Sequence, residues 1–204
     1  RALFGLDRTY AGEILVNGRQ VRLRSPRDAI NAGFAFLTEN RKTDGLFFNF
    51  TGAPNTSSAA LNKLTRLGLL KKRREEETFK HYVNDLEILV SSLRQLVLHL
   101  SGGNPQKVVI ARWLFANSKV LILDEPTQGI DIAAKVAVYK LINKLTAEGR
   151  AVVLISSDHN ELIAMSDRIG IVRHGSIVEV RDAHDVSQTD LVQASAEELV
   201  KSYA

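Results

Sequence analysis

The sequence predicts an α/β domain with a parallel sheet at its core, an antiparallel β segment ahead of it and a helical insertion between the two. Three observations carry that expectation. Short apolar runs alternate with helical patterns from residue 101 to about 181, as in a parallel sheet with crossover helices. Alternating apolar residues flank an Asn-Gly pair near the start, and a three- and four-residue periodicity takes over between 51 and 100. With 45% hydrophobic and 25% charged residues, the 204 residues suffice for one large domain with a sizeable core. The absence of cysteine excludes a disulfide framework and a thiolate metal site. No apolar run approaches the ~20 residues of a membrane span, and no basic-then-apolar leader opens the sequence. The formal charge of +4 is mild, and its one basic cluster, Lys71 to Arg74, runs into Glu75, Glu76 and Glu77. That order reads as a solvated helix start, so no nucleic-acid partner is expected.

The elements follow in chain order. Ile14 and Val16 alternate before Asn17-Gly18, and Val21 and Leu23 after it, which predicts a hairpin with a type I′ turn. Ser25 is placed to cap a short helix with Pro26 at its first position, Asp28 in its first turn and Gly33 as the left-handed residue that closes it. Phe34 to Leu37 reads as a buried strand. Between Thr51 and Leu100 the residues Phe79, Tyr82, Val83 and Leu86 share one helical face. A strand is expected over Val120 to Leu123, a helix from about Ala133 to Leu145, and a strand over Val152 to Ile155. Ile169 to Val172 and Ile177 to Val180 flank Gly175 as a terminal hairpin. The expected organisation is one domain in four segments, 1–50 (β-rich), 51–100 (helical), 101–181 (α/β core) and 182–204 (tail).

Two segments carry chemistry. Leu121, Ile122 and Leu123 run into Asp124-Glu125, so two carboxylates stand at the carboxyl end of a buried strand, where parallel α/β sheets collect their ligands. An aspartate there suits a magnesium shell, and the adjacent glutamate can orient or deprotonate an attacking water. A strand ending in a polar turn is the competing account. Leu100-Ser101-Gly102-Gly103-Asn104-Pro105-Gln106 opens a helix whose apolar face includes Val108, Val109, Ala111 and Leu114. Its glycines let backbone N–H groups approach an anion at a positive helix end, although, taken alone, a glycine loop capped by Ser101 is the better reading.

The two together are far rarer than either alone, and their spacing resembles the ATP-binding-cassette (ABC) family. Leu100 to Gln106 resembles its signature motif, Val120 to Glu125 its Walker B strand, Gln128-Gly129-Ile130-Asp131 its D-loop, and Leu154 to Asp158 its switch strand. Asn40-Arg41-Lys42-Thr43-Asp44-Gly45-Leu46, Asn104 and Gly129-Ile130-Asp131 are similar to the second cassette of monosaccharide importers of the ribose, galactose or xylose type. The resemblance implies a truncated ABC-type P-loop NTPase fold with a parallel sheet core, an antiparallel β segment and an inserted helical subdomain. It implies an ATP-hydrolysing subunit of a sugar importer, with ATP and Mg²⁺ as cofactors and Asp124 on the metal. Glu125 and Ser157 are the expected catalytic positions. Ser101, Gly102, Gly103 and Gln106 would serve ATP held by a facing cassette, with Asp131 in the D-loop and Glu39 at the glutamine-loop position. The implied partners are a second cassette, in the same parent chain or a homodimer, a membrane permease and, indirectly, a periplasmic sugar-binding protein. The implied location is peripheral, on the cytoplasmic face of the membrane.

Departures from the family pattern shape the expectation. No Gly-x-x-x-x-Gly-Lys-[Ser/Thr] occurs, so a phosphate cradle is missing, the sequence reads as a fragment, and activity alone is not expected. Glu39 stands where glutamine is common, Ser157 where the γ-phosphate histidine is common, with His159 two residues on, and Pro105 where glutamine is common. A soluble ABC ATPase outside transport and a non-catalytic piece completing a partner's site are the alternatives.

Overall fold

The computed structural model describes residues 1–8, 11–40 and 44–201. They form two compact units, 1–153 and 154–204.

The first unit opens with a single 3-10 turn and the hairpin of β1 (Ile14–Val16) and β2 (Arg19–Val21). Asn17 and Gly18 have φ of 52° and 74°, the two left-handed positions that a type I′ turn demands. Helix α1 (Pro26–Asn31) starts as expected: the Ser25 hydroxyl accepts from the Asp28 N–H at 3.2 Å and donates to the Asp28 carboxylate at 2.9 Å. Gly33, at φ 87°, turns the chain into β3 (Phe34–Leu37), every residue of which is buried.

The expected helical stretch 51–100 is only partly helical. It holds α2 (Gly52–Ser57), a two-residue-per-strand hairpin of β4 (Thr65–Arg66) and β5 (Leu69–Leu70), and α3 (Lys72–Asp85). Leu67 and Gly68 take φ of 52° and 79° between the short strands, a turn too brief to leave a period in the sequence. On α3 the predicted face is real, with Phe79 and Leu86 buried and Tyr82 and Val83 half-buried. Its charged start is exposed at Lys72, Arg73 and Arg74, but Glu75 is buried and accepts a hydrogen bond from the Ser57 hydroxyl. Spacing explains it: Glu75 lies one turn before Phe79 and so shares its inward face.

Then come α4 (Asn104–Phe115), β6 (Val120–Asp124), α5 (Ile132–Ala147) and β7 (Ala151–Ile155). The sheet has the order β3-β6-β7, and β3 runs parallel to β6 with Phe34 opposite Val120 and Leu37 opposite Leu123. Helix α4 departs from a one-faced pattern, since Pro105 to Trp113 are all buried. It is held to the sheet by the Trp113 indole N–H, which donates to the Phe36 carbonyl at 3.0 Å, and by Phe4, edge-on to Trp113 at 5.5 Å.

In the second unit, α6 (His159–Met165) precedes the antiparallel pair β8 (Arg168–Arg173) and β9 (Ser176–Asp182). These turn at His174 and Gly175, with φ of 48° and 76°. Helix α7 (Gln188–Lys201) follows. Ile169, Ile171, Ala183, Val186, Leu191 and Ala194 make one core, so residues on both sides of position 182 pack together.

Candidate nucleotide-site residues

Leu121, Ile122 and Leu123 are buried, and β6 delivers Asp124 and Glu125 half-buried at its carboxyl end. The strand stops because Glu125 takes φ 47°, a left-handed conformation costly for any residue with a Cβ and common where structure is held for function. The Gln128 N–H then closes a turn on the Glu125 carbonyl at 3.2 Å, and Pro126 and Thr127 are buried behind it. Since β3 and β6 are parallel, Glu39 leaves its strand at the same sheet edge. Burial holds the Asp124 carboxyl above the usual carboxylate range, and the neighbouring carboxylates of Glu39 and Glu125 push the same way. Three carboxylates gathered at one strand end are the donor set a hard divalent cation would match.

At the other motif, Gly102 is exposed at φ 59°, Ser101 is exposed, and the N-cap of α4 is Gly103, not Ser101. The Ser101 carbonyl accepts from the Asn104 backbone and side-chain N–H groups at 3.3 and 3.0 Å, which shapes the turn while leaving the hydroxyl out of the cap. Pro105 falls in the first helical turn, as geometry allows. The glycines face the start of α5: a Cβ on Gly102 would stand 3.6 Å from Asp131 Oδ2, and one on Gly103 would stand 3.4 Å from the Ala134 Cβ. Asp131 itself is the cap of α5, accepting from the Ala134 N–H at 2.9 Å. Ser101, Gly102, Gly103 and Asp131 are therefore brought together.

Gln106 is placed otherwise than its motif suggests. It is 2% exposed, and its Nε2 donates to the Pro126 carbonyl at 3.3 Å. A glutamine at the third position of α4 follows the inward face of a helix buried all round, so it ties α4 to the turn after Glu125 instead of pointing at a facing nucleotide. Ser157 is exposed in the second unit, next to Asp158, which caps α6 by accepting from the Asn160 and Glu161 N–H groups at 3.1 and 3.3 Å. His159 is the first residue of that helix. Arg41, Lys42 and Thr43 fall outside the described residues.

A polar cluster was not foreseen. Asn55, fully buried, accepts from the Phe47 N–H at 2.8 Å and donates to the Phe47 and Thr51 carbonyls at 2.9 and 3.0 Å. The Arg112 guanidinium of α4 donates to the Asn55 carbonyl at 2.9 Å and to its Oδ1 at 3.3 Å, and lies 5.7 Å from the Phe47 ring centre. Burial pulls the Arg112 pKa down to about 10, so it is still charged at neutral pH. The one signal in the sequence is a lone arginine inside an apolar helix.

Comparison with known proteins agrees with this fold. A nucleotide-free ATP-binding cassette from an ABC transporter superposes with a TM-score of 0.76 over 99% of this chain and 80% of its own, at 17% identity, a likeness of fold. The ADP conformation of another transporter's cassette gives 0.75 over 95% and 80%, at 18% identity. Among curated relatives, the ribose import ATP-binding protein RbsA of Rhodopirellula baltica is 42% identical over 194 residues, covering 95% of this chain and 38% of the relative. RbsA of Bacillus subtilis is 42% identical over 188 residues, covering 92% and 38%. The chain thus spans under two fifths of the length of these relatives. The family model described as ABC transporter matches residues 1–128, well over half of the chain, and with the cassette fold and the paired motifs this makes the chain a member of the ABC transporter family, from its ATP-binding cassette.

Proposed function

We propose that these residues are the signature and Walker B part of an ATPase cassette in a sugar importer, and that the Ser101–Gly103 turn completes the ATP site of a facing cassette. The observation that carries this is the exposed Ser101–Gly102 turn at the positive end of the twelve-residue helix α4, beside the Asp131 cap of α5. Backbone N–H groups and a hydroxyl presented outward at a helix start suit the phosphates of a nucleotide held by another subunit. The ribose import proteins among the relatives support the importer reading, with a membrane permease as partner, a periplasmic sugar-binding protein acting through it, and a peripheral position on the cytoplasmic face.

At the opposite motif, Asp124 with Glu39 close by would hold Mg²⁺, which supplies charge neutralisation for the phosphates when bound. Glu125 is the residue to orient a water and accept its proton, its side chain aimed by the left-handed turn at φ 47°. Ser157 can offer only a hydroxyl at the switch position, a weaker contact than an imidazole would make. The 204 residues contain no Gly-x-x-x-x-Gly-Lys-[Ser/Thr], which favours a second reading for this chain taken alone: it contributes to a partner's site and binds ATP weakly itself. The test is Glu125→Gln in a cassette pair where these residues are joined to a phosphate loop. Hydrolysis should fall about 10²–10⁴-fold, while ATP binding and ATP-dependent closure persist. An unchanged rate overturns the role of Glu125.

A further inference from the structure

From residue 45 to 74 there is no acidic side chain, and six basic ones, Lys63, Arg66, Lys71, Lys72, Arg73 and Arg74, crowd its end. The β4–β5 hairpin stands among them. Its turn residue Leu67 is 94% exposed and Leu69 75% exposed, for Leu67 the highest value of any large apolar side chain among the described residues and for Leu69 among the highest. Leu67 also sits at φ 52°, so the chain spends backbone strain to hold a leucine in water, and packing within this chain offers nothing in return.

The acidic residues that follow do not neutralise this surface. Glu75 is buried against Ser57, and Glu77 is occupied by Arg73 at 3.1 Å, which leaves Glu76 as the one opposing charge. Lys63 is taken up by the Phe115 carbonyl at 2.6 Å. Arg66, Lys71, Lys72 and Arg74 have no acidic partner among the described residues.

We infer that the β4–β5 tip and the basic start of α3 rest on an anionic lipid bilayer, with Leu67 and Leu69 in the interface and Arg66, Lys71, Lys72 and Arg74 at the phosphates. The composition chooses lipid over a protein partner. Protein interfaces deplete lysine, whereas this tip sets Lys71 and Lys72 beside its exposed leucines. Long flexible cations around a protruding apolar turn fit a fluid, delocalised anionic surface, into which stems can lie while charges stay wet. The inference is independent of whose nucleotide the signature serves, so its failure would leave that reading untouched.

The experiment is flotation of the 204-residue chain with vesicles of phosphatidylcholine alone and of phosphatidylcholine mixed with phosphatidylglycerol. Binding is expected to the mixed vesicles and to weaken with salt. Leu67→Ser with Leu69→Ser should weaken it about tenfold, and Arg66→Glu with Lys72→Glu by more, at about fivefold per charge removed. Circular dichroism checks that these exposed changes leave the fold intact. Ile177→Ser with Val178→Ser, on the other exposed apolar hairpin, should bind as the parent does. Equal binding to both vesicle types, no binding at all, or an equal loss in the Ile177 control would overturn the inference. So would a dimer, seen by light scattering, that Leu67→Ser abolishes, since the tip would then belong to a second copy.

Discussion

Substitution of Gly102 separates what the Ser101–Gly103 turn does inside its own chain from what it is proposed to do for a partner. With φ 59° and nearest contacts of 3.6 Å to Asp131 Oδ2 and 4.0 Å to the Ala134 Cβ, an added methyl group meets no clash. Gly102→Ala should then cost only the left-handed penalty, about 1 kcal/mol, or roughly 2–4 °C in the melting temperature of a domain this size. Gly102→Asp adds a carboxylate beside Asp131, and two such charges ~4 Å apart at an exposed site repel by about 1 kcal/mol in water and more where solvent is partly excluded. Its total cost in the isolated chain should be about 2 kcal/mol. Asp131→Asn keeps an acceptor for the Ala134 N–H while removing the charge, so in that background the cost should fall back to about 1 kcal/mol. Urea denaturation of the four variants gives the cycle. Closure of a complete cassette pair, followed by crosslinking, gives the second readout: Gly102→Asp should abolish it with either residue at 131. If Asp131→Asn restored closure, the carboxylate would be acting within its own chain, and the shared-site reading would fail.

Asn55→Ala should cost about 2–4 kcal/mol, because it strips the Arg112 Nη2 of its acceptor and leaves the Phe47 N–H unpaired; a urea midpoint within error of the parent's would show that water replaces these bonds. For Asp124, burial and the neighbouring Glu39 and Glu125 raise the carboxyl pKa. Its stabilising contribution is thus fully present below the ordinary carboxylate range and lost as pH rises through the raised value. Asp124→Asn should be the more stable form near neutral pH, and its advantage should vanish in acid. Denaturation curves that stay parallel across pH would mean that neither burial nor the neighbouring carboxylates raise the Asp124 pKa.

Where local chemistry alone decides structure, the sequence was readable. Asn17-Gly18, Ser25-Pro26 with Asp28, and Gly33 each satisfy a steric or hydrogen-bonding demand within a few residues, and each does what its residue type requires. The β6 strand and its terminal acids were equally plain, since an unbroken apolar run flanked by polar turns has few alternatives. The β4–β5 hairpin was not, because two residues per strand leave no alternation to detect. Glu75 was read as solvent-facing from its acidic neighbours, whereas its side is set by Phe79 one turn later and by Ser57 from another helix.

At the candidate site the limit is the same, and Gln106 states it most clearly. As part of a motif it reads as a ligand, but the side on which a helix residue falls depends on what covers the helix, and α4 is covered from Pro105 to Trp113. Its amide instead reaches the carbonyl of Pro126, twenty residues on, directly after the residue with φ 47°. The turn after Glu125 is thereby pinned from α4, while Gly102 and Gly103 abut the cap and first turn of α5. The contacts that would serve a facing nucleotide and those that set this chain's own carboxylates are joined through one buried side chain. These contacts link segments far apart in the sequence and so leave no local pattern.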